Sequence, residues 1–241
     1  MYVFKPTGGF GNILIHLTTL PDECKLLHNS LYEYELSNCV IIEDFTRVSY
    51  DGEQPDTRII IHPLTAKYIH SKIRNIIKPT PYMEQLIQEK INILEGVTCG
   101  MAIRRGSYCQ DSRQYNDERG DQPSHFFCSE SGLNEFKRVI KQVPGKIFIT
   151  SDSQSTLKNL IEEFGNKLVT IDTIFTVGAE HDRVDEKHYT DYHNIYLLFF
   201  MLSKCPYLYI TGGNRDFVGF STYAYMAAIY GNVPFTAIFN D

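Results

Sequence analysis

Short apolar runs alternate with longer amphipathic ones along the chain. Tyr2–Phe4 predicts a strand, ended by Pro6 and a turn at Thr7-Gly8-Gly9. A helix is predicted to begin near Phe10 or Gly11 and to run through Ile13, Leu14, His16 and Leu17. Cys39–Ile42 and Arg58–Ile61 are continuous runs rich in β-branched residues, the pattern of strands covered on both faces. Tyr68–Ile77 and Tyr82–Leu94 read as helices; the second places Met83, Leu86, Ile87, Ile91 and Leu94 at three- and four-residue steps.

A second unit starts near Gly96. Thr98–Ile103 predicts a strand, and Ser107 to Ser124 a polar loop. Leu133–Val143 predicts a helix stopped by Pro144-Gly145, followed by a strand (Lys146–Thr150), a helix (Ser153–Phe164) and a strand (Lys167–Ile171). After a loop over 174–187, Tyr192–Lys204 is a strongly apolar helix with Ile195, Leu198, Phe199 and Leu202 on its core stripe. Tyr207–Thr211, Thr222–Ile229 and Pro234–Phe239 close the chain as strand, helix and strand. Strands separated by helices predict parallel sheets with right-handed crossovers, hence an α/β protein of two small units, 1–95 and 96–241.

Composition narrows the class. With 43% hydrophobic and 22% charged residues the 241-residue chain is ordinary globular protein. Its 23 Lys and Arg against 29 Asp and Glu give a net charge of -6, which excludes nucleic-acid binding by bulk electrostatics. The six cysteines form no C-x-x-C pair and no zinc-type spacing with histidine. The opening MYVFKPTGGF lacks a charged segment leading into a long apolar run, and the longest apolar stretch, Ile195–Leu202, falls far short of the roughly 20 residues a membrane helix needs. The expectation is a cytoplasmic chain with reduced thiols and no transmembrane segment.

Four places combine strand ends with glycine, hydroxyl or charged groups. Gly8-Gly9-Phe10-Gly11-Asn12 lies between a strand and a helix, where main-chain N–H groups can approach an anion; a plain tight turn is the competing account. Arg104-Arg105-Gly106 follows the 98–103 strand, where a guanidinium can grip a diphosphate through paired N–H groups; two solvated loop arginines would read the same. Ser151, Asp152 and Ser153 follow the next strand as a hydrogen-bonding shelf or simply a helix cap. Gly212-Gly213-Asn214 and then Gly219-Phe220-Ser221-Thr222 precede the last helix, suiting a phosphate or simple capping.

The ordered set GGFGN, IRRGSY, FITSDS and LLFFMLSKCPYLYITGGNRDFVGFSTYA resembles the fucosyltransferase superfamily of α-1,2-, α-1,6- and protein O-fucosyltransferases. GGFGN looks like the family's G-G-x-G-N-Q opening and IRRGSY like its H-x-R-R-G-D-Y motif. Ala102 stands in place of the motif histidine, Ser107 of its aspartate, Ile13 of the glutamine and Leu198 of an acidic residue in the later segment. The resemblance implies a GT-B-like pair of Rossmann-type lobes with parallel sheets and a cleft between them. In that arrangement 1–95 is the acceptor-side lobe and 96–241 the nucleotide-sugar lobe. It implies inverting, metal-independent transfer of a sugar, L-fucose from GDP-fucose, onto a hydroxyl of an oligosaccharide or other glycan. A GDP-sugar is then the co-substrate, with no cofactor and no metal.

Carried over residue by residue, Arg104 and Asn12 become catalytic. Gly8, Gly9, Phe10, Gly11, Arg105, Ser151, Asp152, Phe220, Ser221 and Thr222 become donor-binding. Glu43, Asp44, His16 and His62 are candidates for the base that takes the acceptor proton. No D-x-D pair of suitable context is present to hold a metal. A weak or inactive GDP-sugar-binding module and a transferase with a different donor remain the alternatives.

Overall fold

A computed structural model describes residues 2–4, 10–19, 24–27, 39–42, 46–48, 71–109, 127–171, 189–214 and 221–240. In chain order the first part holds β1 (Tyr2–Phe4), α1 (Phe10–Thr19), β2 (Cys24–Leu27), β3 (Val40–Ile42) and β4 (Thr46–Val48). Next come α2 (Ile73–Ile76), β5 (Ile77–Pro79) and α3 (Pro81–Lys90), the last running into a 3₁₀ turn over Ile91–Leu94. The second part holds β6 (Val97–Ile103), α4 (Glu130–Gln142), β7 (Lys146–Ser151), α5 (Gln154–Phe164) and β8 (Leu168–Val169). It ends with α6 (Tyr189–Leu202), β9 (Leu208–Asn214), α7 (Thr222–Gly231) and β10 (Phe235–Asn240).

Helix starts follow local chemistry. Thr80, Ser129 and Ser153 accept hydrogen bonds from Met83 N, Gly132 N and Thr156 N at the heads of α3, α4 and α5, each satisfying an amide that has no helical partner. Pro81 fits the first helical position of α3, where its missing N–H costs nothing.

Strands β6 to β10 form one parallel five-stranded sheet in the order β10-β9-β6-β7-β8. Side chains alternate across β6, so Cys99, Met101 and Ile103 face a core built with α4 and α5, including Phe136, Ile140 and Leu160. Ala102 faces the opposite core, with α1, α6 and α7. In the first part, β1, β2 and β4 make a parallel sheet, while β3 and β5 pair antiparallel.

Several sequence expectations are corrected. Ile77 does not continue a helix but opens β5, because pairing with β3 satisfies its backbone. The Cys39–Ile42 run is not covered on both faces: Val40 is buried while Ile41 is 42% exposed, the alternation of a two-stranded pair. Helix α6 is buried on more than one stripe, since every residue from Tyr196 to Leu202 lies inside. Phe10 of α1, Tyr82 of α3 and Tyr223 of α7 all touch it. Arg58–Ile61, 110–126 and 172–188 lie outside the described residues. Among the described residues no helix is long and apolar enough to cross a membrane.

Burial pushes the Cys99 thiol up to about 11, and the Cys128 and Cys205 thiols up to about 12. The unfolded chain ionises these thiols near pH 9, the folded protein only well above it. Their contribution is therefore complete below pH 9 and is lost as pH rises from 9 towards 11–12, by about 1.4 kcal/mol per pH unit for each thiol. We expect the urea midpoint to hold between pH 7 and 8.5 and to fall steeply above 9; a flat profile to pH 10.5 would contradict the burial of these groups.

Candidate functional site

The strand order places β6 at the centre of its sheet. From it the chain winds one way through β7 and β8 and then the other way through β9 and β10. The carboxyl ends of β6 and β9 therefore border a topological switch point, where open α/β sheets leave a crevice for ligands. Arg104 is the first residue beyond β6. Its N–H donates to the Thr211 hydroxyl at 3.0 Å, and that hydroxyl donates to the Ala102 carbonyl at 3.2 Å, locking the ends of β6 and β9 together. The Arg104 carbonyl accepts from Cys128 N at 2.6 Å. The guanidinium lies over the Phe127 ring, 5.0 Å from its centroid.

Asp152 completes the grip. Its two carboxylate oxygens accept from Arg105 N at 2.6 Å and Gly106 N at 2.9 Å. Gly106 turns at φ 48°, and a Cβ there would meet the Phe127 ring at 2.3 Å, so only glycine fits. The aspartate expected near a nucleotide thus braces the turn that presents Arg104. Ser151 and Ser153, its neighbours, are buried: the Ser151 hydroxyl accepts from Ser153 N, and Ser153 caps α5. Ser153 also donates to the Cys109 thiol at 3.2 Å, joining the head of α5 to the end of the 106–109 turn.

Arg105 departs most from expectation. Only 2% exposed, it turns away from the sheet edge and donates to the carbonyls of Cys128 at 2.8 Å and Ser129 at 2.8 Å and to the Glu130 carboxylate. Burial works to lower its pKa, but Glu130 and the nearby thiols outweigh that and hold it above the ordinary range. It fastens the head of α4.

The head of α7 docks beside this corner, and α1 packs against it. Ser221, buried, docks on β9 through its N–H to the Thr211 carbonyl at 2.8 Å and heads α7 without a side-chain cap bond. A Cβ on Gly11 would lie 2.2 Å from Tyr223 N and 2.5 Å from the Thr222 carbonyl carbon, so α1 and the head of α7 touch backbone to backbone. Gly11 is spent on this contact. Asn12, next to it, is exposed, and Thr222 is half-buried. Phe10, expected at the donor, is buried with its ring 4.6 Å from Tyr196 and 5.0 Å from Phe199, centroid to centroid. Aromatic burial on this scale makes it core.

Gly8, Gly9, Glu43, Asp44, His62 and Phe220 lie outside the described residues; His16 lies in α1, its side chain outside them. Near the head of α6, His193 Nδ1 is 3.3 Å from the Tyr82 hydroxyl, and burial pushes its pKa below the ordinary value. Sequence reasoning missed Thr211 and Phe127. Thr211 is the one aliphatic hydroxyl in the Leu208–Thr211 stretch and stands at its carboxyl end, a signal present in the sequence. Phe127 lies 23 residues from Arg104 and only the folded chain joins them.

The sheet is Rossmann-type, and Arg104 stands at its switch point, the place where open α/β sheets leave a crevice. No protein-family model matches this chain, and no curated protein matches it in sequence. Solved structures do. The chain is similar to the NodZ α-1,6-fucosyltransferase soaked with GDP-fucose, at 13% identity and a TM-score of 0.59, over 98% of this chain and 94% of that one. Similarity to the same enzyme co-crystallised with GDP covers 94% and 90% at 11% identity and a TM-score of 0.56. For NodZ from Bradyrhizobium the coverage is 94% and 91%, the identity 12% and the TM-score 0.56. The likeness is one of fold, and the mixed α/β, GT-B-like architecture expected from the sequence is the one present.

Proposed function

We propose that this chain is an inverting, metal-independent glycosyltransferase that moves L-fucose from GDP-fucose onto a glycan hydroxyl. Residues 96–241 hold the donor and residues 1–95 face the acceptor across a cleft that lies beside the packed contact of α1 with α6 and α7. The observation that carries this reading is Arg104. Its backbone is tied to β9 by Thr211 and to the following segment by Cys128, and its turn is tied to β7 by Asp152. With its backbone so fixed and its guanidinium over the Phe127 ring, Arg104 is placed for a diphosphate, the group that departs when a sugar nucleotide gives up its sugar. The fold shared with a GDP-fucose-soaked fucosyltransferase and the GGFGN and IRRGSY motifs support the same donor.

In this reading the donor's diphosphate lies between Arg104 and the head of α7. Negative charge grows on the leaving oxygen as the glycosidic bond breaks, and Arg104 and the dipole of α7 oppose it. Charge compensation from fixed protein groups replaces a metal. Asn12, exposed beside the head of α7, faces the sugar–diphosphate region.

A donor screen tests this. GDP and GDP-fucose should each raise the thermal midpoint; a ligand at 100 times its Kd adds about 2.7 kcal/mol. GDP-fucose should be slowly hydrolysed in the absence of acceptor, with chelator present, while UDP-sugars give neither effect. Stabilisation by GDP without any turnover would identify a binding module. Indifference to every guanine nucleotide would sink the reading.

A further inference from the structure

We propose that Phe127 is the positioning residue for Arg104, and that Asn240, at the end of β10, sets Phe127 in place. This rests on Arg104 contacting the donor diphosphate, as proposed above. The Phe127 ring meets the guanidinium face, 5.0 Å from centroid to the guanidinium carbon. An aromatic face carries partial negative charge, so it attracts and orients a guanidinium without accepting a hydrogen bond from its N–H groups. The ring thus restrains the side chain through its face.

The segment that carries the ring is held by backbone bonds, and the ring by its packing on Gly106. Asn240 donates through Nδ2 to the Phe127 carbonyl at 2.9 Å and accepts at Oδ1 from Ser129 N at 2.9 Å, clamping the backbone on both sides of Cys128. Cys128 N in turn donates to the Arg104 carbonyl. On its other side the ring fills the space left open by Gly106, where any Cβ would strike it. Phe127 is buried. A phenylalanine 23 residues away in sequence is thereby tied to the arginine through backbone, ring face and the final strand.

The test replaces Phe127 in the full chain by a series of fluorinated phenylalanines, which drain negative charge from the ring face at nearly constant shape. GDP affinity is measured by calorimetry and, where activity is present, kcat and KM for GDP-fucose are measured separately. Affinity should fall stepwise with fluorine number, by roughly 3- to 30-fold between phenylalanine and its pentafluoro form. In the Arg104→Ala background, assayed at millimolar GDP, the series should be flat. Phe127→Tyr should bind GDP within about twofold of the parent protein, since tyrosine offers the same face. A purely structural role for the ring would give no fluorine dependence, and that outcome, or an equal slope in Arg104→Ala, overturns the assignment while leaving the donor site standing. Undiminished GDP affinity in Arg104→Ala alone overturns the donor-site reading and this inference with it.

Discussion

Arg104→Ala is expected to abolish measurable transfer while the protein keeps its thermal midpoint within a degree or two. Removing one preorganised charge contact at a leaving group lowers rate by about 10²–10³, or about 3–4 kcal/mol of barrier. Little of the fold is at stake, because the bonds from Arg104 to Thr211 and Cys128 run through its backbone, which the substitution leaves in place. The neighbouring substitution supplies the contrast. Arg105→Ala strips donors from the Cys128 and Ser129 carbonyls and should cost about 3 kcal/mol of stability. Its kinetic loss should follow from unfolding, not from a lost donor contact. Near-normal turnover in Arg104→Ala, measured on protein whose circular dichroism is unchanged, would remove the main support for the site.

Gly11→Ala is expected to be among the most destabilising single substitutions in the chain. The added carbon would lie 2.2 Å from a backbone nitrogen of α7, and backbone cannot swing aside as a side chain can. Overpacking ordinarily costs about 1–3 kcal/mol; here the helices must separate, so the upper end of that range or beyond is expected. Separation would also lift the head of α7 off β9, so GDP affinity should fall with stability. Asn12→Ala, one residue on and exposed, should leave the urea midpoint nearly unchanged. If Gly11→Ala matched the parent protein in chemical denaturation, the close contact of α1 with α7 would be wrong.

The second part of the chain was legible because its strands are buried between two helical layers. Val97–Ile103, Lys146–Ser151 and Leu208–Asn214 read as apolar runs bounded by turn signals, and the observed bounds differ from expectation by a few residues. Strands β2 and β4 escaped notice because Cys24–Leu27 and Thr46–Val48 are short and each carries a charged residue, leaving no period to detect. Ile77 belongs to a strand only because β3 lies beside it, which no local pattern reports.

At the site, the place of Arg104 at a strand end followed from the run before it. Telling Arg104 from Arg105 required the alternation of β6. Arg105 has the parity of Met101 and Ile103, which face the α4–α5 core, whereas Arg104 has that of Ala102. That signal was in the sequence. The double role of Asp152 was not, since a short acidic residue before a helix reads first as a cap, and its partners lie 46 and 47 positions away.

Phe10, Ile13, Leu14 and Leu17 of α1 share one apolar interior with Tyr196–Leu202 and Ala224–Ile229. The polypeptide therefore cannot be divided for engineering at residue 96. A chimera that transplanted everything after that point onto a foreign first half would arrive with an open apolar trough where α1 belongs. Cys39, Val40, Ile73, Ile76, Ile77, Met83 and Ile87 line the same interior, so a recombination seam has to carry these residues as well as 10–19 along with the second half.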